Sequence, residues 1–267
     1  MPPFALVDAF TDHPFAGNPA GVVLLDAAAD DGWMATVAAE VGASETAFVT
    51  GSGAERSLRW FTPTVEVDLC GHATLAAAHV IWERGASEGT LRFDTRSGTL
   101  SATRHDDGSI ALDLPAWPIE IDGPAPTELA GALRGIEHAY LGRTGGAQPN
   151  DVAEVDDESA LRRIRPDLAA VAALGSTGLI VTAPGDGGTD LVSRYFAPAV
   201  GVDEDPVTGS AHCTLGPLWA QRLGRDELTA RQVSPRGGVL TVRVAGDRVH
   251  VGGRAITVID GTVLGPI

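Results

Sequence analysis

One stretch of sequence occurs twice in this chain, and the repeat limits the available folds more than any other feature. Residues 59–68 (RWFTPTVEVD) return 135 positions later as residues 194–203 (RYFAPAVGVD). Upstream of them, residues 44–50 (SETAFVT) are echoed 132 positions later by residues 176–182 (STGLIVT). Because the segments keep their order in both copies, the sequence predicts two duplicated halves that each contribute one wall of a shared cleft.

The two copies differ at the positions where chemistry is expected. Each copy runs into a helix start made of small residues, Cys70-Gly71-His72-Ala73 in the first half and Thr208-Gly209-Ser210-Ala211 in the second. In the upstream pair of segments, Glu45 corresponds to Thr177. The comparison therefore singles out one carboxylate.

Length and composition narrow the class of protein. The 267 residues suffice for two domains, and the net charge is −16 with 19 basic residues, all of them Arg. Such an acidic chain without basic clusters disfavours nucleic acid or an anionic membrane as a partner. The longest uncharged apolar run, residues 69–82, is too short to span a bilayer, and the N-terminus does not resemble a targeting sequence. Two cysteines are too few for a disulfide framework, so we expect a reduced, cytoplasmic protein.

Short apolar runs between Gly, Pro and Asp predict an α+β fold. Strands are predicted at residues 4–8, 21–25, 46–50, 57–61, 90–94, 99–104 and 110–114, and then at 138–141, 179–182, 191–196, 239–244, 248–251 and 256–259. Helices are predicted from a cap at Asp30 or Asp31 to Val41, and at residues 72–84, 158–164, 166–174 and 209–223.

Two of these helices are informative. The helix at residues 72–84 is apolar on all sides, which predicts a helix enclosed by strands. Its counterpart from Gly209 contains Pro217, so a kink or an early break is expected there. The proline-rich residues 115–126 predict the crossover between the halves. We expect one domain at residues 1–117, completed by the last strands at about 255–267, and a second at residues 126–254.

The two glycine-led helix starts are candidate binding positions. A helix that opens at a glycine presents unpaired backbone N–H groups and the positive end of its dipole, which favours a carboxylate. Gly71-His72 and Gly209-Ser210 would then hold a small anion. The alternative is that both are ordinary tight turns before buried helices.

Three titratable side chains near these turns are candidates for catalysis. Glu45, beside an apolar run, is expected to have a pKa above about 4.3, which suits a general acid or base. A solvated glutamate or a capping partner of Ser44 is the alternative. Asp205 could bind a substrate amine or could only be part of a turn before Pro206. His72 could transfer a proton or hold a carboxylate, or could be a satisfied buried histidine.

The cysteines are considered separately. Cys70, beside a helix N-terminus, could act as a thiolate base, but the matching position of the second copy carries no cysteine. Cys213 falls inside the predicted helix and is expected to be buried and inert. A metal site could be imagined from Cys70, Asp205 and the histidines at positions 72, 79 and 212, but their spacing matches no strong ligand signature, so no metal is expected.

Several segments together resemble one known family. They are Val7-Asp8-Ala9-Phe10-Thr11, Gly17-Asn18-Pro19-Ala20-Gly21, Ser44-Glu45-Thr46-Ala47-Phe48, Arg59-Trp60-Phe61-Thr62-Pro63, Asp68-Leu69-Cys70-Gly71-His72-Ala73-Thr74 and Asp205-Pro206-Val207-Thr208-Gly209-Ser210-Ala211. Their order across nearly the whole chain resembles the phenazine-biosynthesis PhzF-like isomerases. The resemblance implies a diaminopimelate epimerase-like fold, in which two similar domains each roll a mixed sheet around a central helix, with the site between them.

The resemblance also implies roles for particular residues. Glu45 matches the acid/base carboxylate, which acts without a cofactor. The positions that line and polarise the substrate site are matched by His72, Asp205, Ser210 and the backbone at Gly71 and Gly209, and Asn18, Ser44 and Cys70 are expected beside them. The epimerases use two opposed cysteines, whereas this chain has Asp205-Pro206 where the second thiol is expected.

These observations predict a cofactor-independent isomerase that moves a proton between carbons of a small carboxylate. An epimerase-like enzyme with Cys70 as its base is the first alternative, and a catalytically silent binding protein is the second. A homodimer is expected from the strand-rich halves and from the resemblance to the family.

Overall fold

The computed structural model describes residues 1–120, 123–145 and 149–265, and these form two compact units. The first unit contains residues 1–114 and those from 250 onward, and the second contains residues 115–249. The domain limits expected from the sequence, 117, 126 and 254, remain a prediction.

The structure contains many short strands and few helices. The strands are β1 Pro3–Ala9, β2 Asn18–Leu25, β3 Glu45–Thr50, β4 Glu55–Phe61, β5 Glu66–Val67, β6 Leu91–Thr95, β7 Gly98–Arg104, β8 Ile110–Pro115, β9 Ile119–Glu120, β10 Ala139–Thr144, β11 Asn150–Glu154, β12 Gly178–Pro184, β13 Leu191–Ala197, β14 Val202–Asp205, β15 Glu227–Gln232, β16 Gly238–Ala245, β17 Arg248–Gly253 and β18 Ala255–Thr262. The helices are α1 Asp31–Val41, α2 Gly71–Glu83, α3 Leu129–Ala132, α4 Glu158–Arg163, α5 Leu168–Ala172 and α6 Gly209–Leu223, with a 3₁₀ turn at Pro198–Val200.

The first unit wraps a mixed sheet around α2. Strand β1 pairs antiparallel with β2 and β18, β2 runs parallel to β3, β3 pairs antiparallel with β4, and β4 runs parallel to β6. Eleven of the 13 residues of α2 are buried, and the helix contacts β1, β2, β3, β7 and β18. Small side chains such as those of Ala76, Ala77 and Ala78 allow the strands to approach the helix from several sides. The predicted enclosure of this helix is confirmed.

The second unit repeats this order of connections around α6. Strand β11 runs parallel to β12, β12 pairs antiparallel with β13, and β13 runs parallel to β15. Helix α6 packs against β15 and β16. The fold is therefore α+β with two similarly built units, as expected from the sequence.

The repeated segments make the same interactions in both units. The guanidinium of Arg59 donates two hydrogen bonds of 2.7 Å to Glu66, and that of Arg194 donates bonds of 2.7 and 2.8 Å to Glu204. Each arginine also stacks on the phenylalanine two residues later, with 5.3 Å to the ring of Phe61 and 4.8 Å to that of Phe196. The repeated RWF and RYF sequences thus encode one packing device that is used twice.

Of the kink or early break expected at Pro217, the early break is wrong, because α6 continues from Gly209 to Leu223. The kink stays a prediction. A proline inside a helix removes the N–H that would bond the carbonyl four residues earlier. Here that carbonyl belongs to Cys213, and it accepts a hydrogen bond of 3.1 Å from the backbone N–H of Trp117. A tertiary contact therefore satisfies the group that the proline leaves unpaired.

Other differences concern short or polar elements. Strands β5, β9, β11, β14 and β15 were not predicted, and β9 lies within the expected crossover at residues 115–126. The cap of α1 is Asp30, whose side chain accepts from the N–H groups of Gly32 and Trp33. Among the residues that the structure describes, no helix is long and apolar enough to cross a membrane.

Gly17 fixes the entry to β2. Its φ is +63°, and a Cβ there would lie 2.2 Å from the carbonyl oxygen of Ala9. The next residue, Asn18, opens β2 opposite Ala9 on β1. Only glycine permits both the positive φ and this close approach of the two backbones.

Replacement of this glycine should therefore destabilise the fold more than an ordinary positive-φ glycine. Gly17→Ala should lower the free energy of unfolding by about 1–2 kcal/mol for the left-handed backbone and by about 1–3 kcal/mol more for the overlap with Ala9. Gly42→Ala is the matched control, because φ is +65° there and nothing lies within 4 Å of the added Cβ. Urea unfolding of both variants measures the difference, and equal losses would contradict the argument.

Candidate active site

The first unit brings four of the predicted side chains together because of its topology. Asn18 and Glu45 are the first residues of the parallel neighbours β2 and β3, so both lie at the same edge of the sheet. Ser44 immediately precedes β3. Helix α2 packs on both strands and places His72 in its first turn. Residues far apart in sequence thus meet where two strands and one helix begin.

Hydrogen-bond distances link these side chains into one chain of contacts. The Ser44 hydroxyl lies 3.0 Å from Asn18 Oδ1, and Asn18 Nδ2 lies 3.2 Å from His72 Nδ1. On the other side of the ring, His72 Nε2 lies 3.3 Å from Glu45 Oε2 and 3.4 Å from the Ser44 hydroxyl. The imidazole therefore stands between an amide and a carboxylate.

Burial keeps His72 uncharged. Its side chain is only 5% exposed, and removal from water lowers the pKa of the ring from 6.5 to about 3. At neutral pH Glu45 therefore faces a neutral imidazole rather than a cation. The side chain of Glu45 is 17% exposed, so the carboxylate keeps some access to its surroundings.

Cys70 and Gly71 complete this cluster. Cys70 caps α2 with its backbone, and its sulfur lies 3.5 Å from His72 Nδ1. One ligand atom each from Glu45, Cys70 and His72 lies within 4.8 Å of the other two. These three atoms are a donor set that could hold a metal ion. The sequence analysis expects no metal here, and that expectation stays a prediction.

The remaining predicted residues lie in the second unit. Asp205 ends β14, and Gly209 and Ser210 open α6. The hydroxyl of Thr208 donates to the carboxylate of Asp205. Asp205, Gly209 and Ser210 therefore lie at the start of α6, as Cys70, Gly71 and His72 lie at the start of α2.

Sequence reasoning missed Gln232, whose hydrogen bonds hold the segment before α6 in place. Gln232, fully buried at the end of β15, donates to the Asp205 carbonyl at 2.7 Å and accepts from the Thr208 N–H at 2.8 Å. It is 24 residues from Thr208 on a strand that was not predicted. The sequence gives no clear signal for Gln232, because only two of the six residues of β15 are apolar and the strand was not recognised.

Two further buried groups of the second unit are held by α6. His212 lies with Nδ1 2.8 Å from the carbonyl oxygen of Thr208 and Nε2 3.4 Å from the Ser193 hydroxyl, and burial lowers its pKa to about 4. Burial raises the pKa of the Cys213 thiol to about 12, which makes it inert at neutral pH, as predicted.

Comparisons with known proteins agree with this architecture. The sequence model of the PhzC-PhzF family, described as phenazine biosynthesis-like protein, matches residues 7–261. A Pseudomonas aeruginosa protein described as an uncharacterized isomerase is 49% identical over 262 residues, which cover 97% of each chain. The crystal structure of a PhzF-family protein from Enterococcus faecalis matches with a TM-score of 0.89 at 41% identity, over 98% of this chain and 99% of that one.

The fold is shared more widely. The structure of a hydroxyproline epimerase from Agrobacterium vitis matches with a TM-score of 0.64 at 13% identity, over 98% of this chain and 92% of that one. The match shows that this chain, with its two similarly built units, has an epimerase-like fold. Within this class of folds, the chain belongs to the phenazine biosynthesis-like PhzC-PhzF family.

The two buried neutral histidines make stability depend on pH. In the unfolded chain a histidine binds its proton near pH 6.5, whereas His72 and His212 remain neutral in the folded protein down to about pH 3 and 4. Between these limits the unfolded state binds more protons, so acid favours unfolding. Their contribution is complete above about pH 6.5 and is lost as the pH falls towards the folded-state values.

We therefore expect the free energy of unfolding to fall between pH 6 and pH 5 by up to about 1.4 kcal/mol per histidine. His72→Gln and His212→Gln should each remove about one such contribution from the slope, and the double variant should remove both. Urea unfolding at a series of pH values measures these slopes. A slope that is the same in the wild type and the double variant would show that neither ring is held neutral.

Proposed function

We propose that this protein is a cofactor-independent isomerase that moves a proton between carbons of a small carboxylate, with Glu45 as the acid and base. The observation that carries the proposal is the contact of a half-buried carboxylate with a neutral imidazole at the start of an enclosed helix. Membership of a family in which a 49% identical relative is described as an isomerase supports it.

In the first step, Glu45 takes a proton from a carbon next to an electron-withdrawing group. The C–H bond breaks, its electron pair delocalises into the substrate, and the proton forms an O–H bond on Glu45. The negative charge that develops needs hydrogen-bond donors that are already in place. The backbone N–H groups of Gly71 and His72, at the positive end of α2, are donors of this kind.

In the second step, Glu45 gives the same proton to another carbon. A new C–H bond forms as the O–H bond breaks, so substrate and product have the same composition and no oxidant or reductant is consumed. Because one carboxylate both removes and returns the proton, it suffices without a second base. This agrees with a chain that has Glu45 in one half and Thr177 at the corresponding position in the other.

The contacts of Cys70 favour Glu45 over the thiol as the base. A cysteine is activated by a neighbouring base or cation that stabilises its thiolate. The nearest imidazole, that of His72, has a pKa of about 3 because it is buried, so it is both a poor base and uncharged at neutral pH. An epimerase-like reaction with Cys70 as its base remains the second candidate, since its sulfur lies in the same cluster.

Loss of the carboxylate should abolish proton transfer. We expect Glu45→Gln to slow incorporation of solvent deuterium by at least about 10²-fold. The measurement is NMR in D₂O with a panel of small carboxylates that includes dihydro-hydroxyanthranilate and common amino acids. Glu40→Gln, which changes an exposed carboxylate of the same unit, is the matched control and should exchange like the wild type.

The thiol alternative is tested in the same assay with Cys70→Ser. Exchange that survives in Glu45→Gln but disappears in Cys70→Ser would move the base to Cys70. If no carboxylate of the panel exchanges with the wild type, the isomerase proposal fails and a binding protein is favoured.

For the second unit, we propose that Asp205, with Gly209 and Ser210, binds polar groups of the substrate. Asp205→Asn removes the charge while keeping an acceptor for the Thr208 hydroxyl, so it should fold normally and exchange about 10- to 100-fold more slowly. Asp203→Asn, on an exposed position of the same strand, is the control. Equal exchange rates in the two variants would remove Asp205 from the site.

The expected homodimer is a separate proposal, which sedimentation of the wild type tests.

A further inference from the structure

We infer that Asn18 is a positioning residue that fixes the tautomer of His72, so that the proton of the neutral ring is on Nε2, the nitrogen that lies 3.3 Å from a carboxylate oxygen of Glu45. The functional meaning of this inference rests on the proposed role of Glu45. The tautomer itself follows from hydrogen bonding alone.

The orientation of the Asn18 amide is the first step. The side chain is fully buried, and the Ser44 hydroxyl lies 3.0 Å from Oδ1. The same hydroxyl lies 3.3 Å from the carbonyl oxygen of Pro19. A hydroxyl can donate to either oxygen, and a bond to Oδ1 turns the NH₂ group of Asn18 towards His72.

The second step concerns the ring nitrogen that this NH₂ group meets. Asn18 Nδ2 lies 3.2 Å from His72 Nδ1, and an amide nitrogen can only donate. Nδ1 must therefore accept, which means that it carries no proton. The Cys70 sulfur, 3.5 Å from the same atom, is a second group able to donate to it. A neutral imidazole has one N–H, and it must then be on Nε2.

The third step is what Nε2–H does to Glu45. Nε2 lies 3.3 Å from Glu45 Oε2 and makes its hydrogen-bonding contact with the Ser44 hydroxyl at 3.4 Å. The ring therefore places an N–H, and no lone pair, beside the ionised base. Once Glu45 has taken a proton from the substrate, Nε2 has no lone pair with which to accept it. His72 in this tautomer therefore cannot accept the proton through Nε2, and the proton on Glu45 stays available for return to carbon.

The same tautomer argues against a metal in the cluster. Imidazole binds a metal through a nitrogen lone pair, while its other nitrogen usually donates to an acceptor. The one lone pair of neutral His72 is on Nδ1, where it accepts from the Asn18 amide. A metal held by Glu45, Cys70 and His72 would have to displace that amide.

The tautomer can be measured in the free protein, without a substrate. Histidine labelled with ¹⁵N gives long-range proton–nitrogen spectra that distinguish the two neutral tautomers from the imidazolium. The chain has seven histidines, and His72→Gln and His212→Gln assign the two buried rings. At pH 7 we expect His72 to be neutral with its proton on Nε2. His212, whose Nδ1 faces the Thr208 carbonyl, should show the opposite tautomer as an internal reference.

Asn18→Asp then tests the cause. A carboxylate at this position can only accept from Nδ1, so His72 should change to the Nδ1–H form or to the imidazolium, while the His212 signals stay unchanged. The chain has one other asparagine, Asn150, which lies in the second unit and accepts from the Tyr195 hydroxyl. Asn150→Asp is therefore the matched control and should leave the His72 signals unchanged.

Two results would overturn the inference. One is a wild-type His72 that carries its proton on Nδ1, and the other is an Asn18→Asp protein whose His72 signals match the wild type. If Asn18→Asp does not fold, Ser44→Ala replaces it, since loss of the hydroxyl frees the amide to rotate and should yield a mixture of His72 tautomers. The measurement does not involve turnover, so a failure of the Glu45 proposal would appear only in deuterium exchange.

Discussion

Enclosure of α2 by strands is the constraint on which the rest of the first unit depends. A helix that is covered on all sides must have small or apolar side chains along its length, and its first turn is the place where polar groups can meet unpaired backbone N–H groups. The strands that cover the helix also begin near this turn, and they bring Asn18 and Glu45 to it. The packing that stabilises the unit therefore also gathers its candidate catalytic groups.

Burial then decides the chemistry of those groups. In water His72 would be partly protonated near pH 6.5, and it would meet Glu45 as a cation. In the folded protein the cost of burying a charge lowers the pKa of the ring to about 3, so the carboxylate lies beside a neutral imidazole. A neutral neighbour gives the ionised form of Glu45 less stabilisation than a cation would. A base that must also release its proton benefits from this balance.

The sequence allowed the prediction of elements whose own residues determine them. Helix α2 was placed within one residue because its apolar residues continue around the whole helix, and Asp30 was among the two expected caps of α1. The fold followed from the repeated segments and from the family resemblance. Strand β15 was missed because only Leu228 and Ala230 of its six residues are apolar, and it becomes a strand through its pairing with β13 and β16.

The contacts within the site were less accessible to sequence reasoning. Asn18, Ser44, Glu45, Cys70 and His72 were all expected near the substrate, yet the order of their contacts depends on the register of β2 against β3. Asn18 and His72 are 54 residues apart, and no local pattern states which ring nitrogen the amide meets. The continuity of α6 through Pro217 has the same origin, since the compensating donor, Trp117, is distant in sequence.

The differences between the two helix starts argue that a repeated scaffold need not carry repeated chemistry. At the start of α2 a neutral histidine contacts a carboxylate, whereas at the start of α6 Ser210 replaces that histidine and Gln232 braces Asp205 and Thr208. The buried histidine of α6 lies two residues further along its helix and donates to a backbone carbonyl, so its proton is engaged in holding the helix. The two buried imidazoles would thus have opposite tautomers. His72 has its N–H beside a carboxylate, whereas His212 donates its N–H to the backbone.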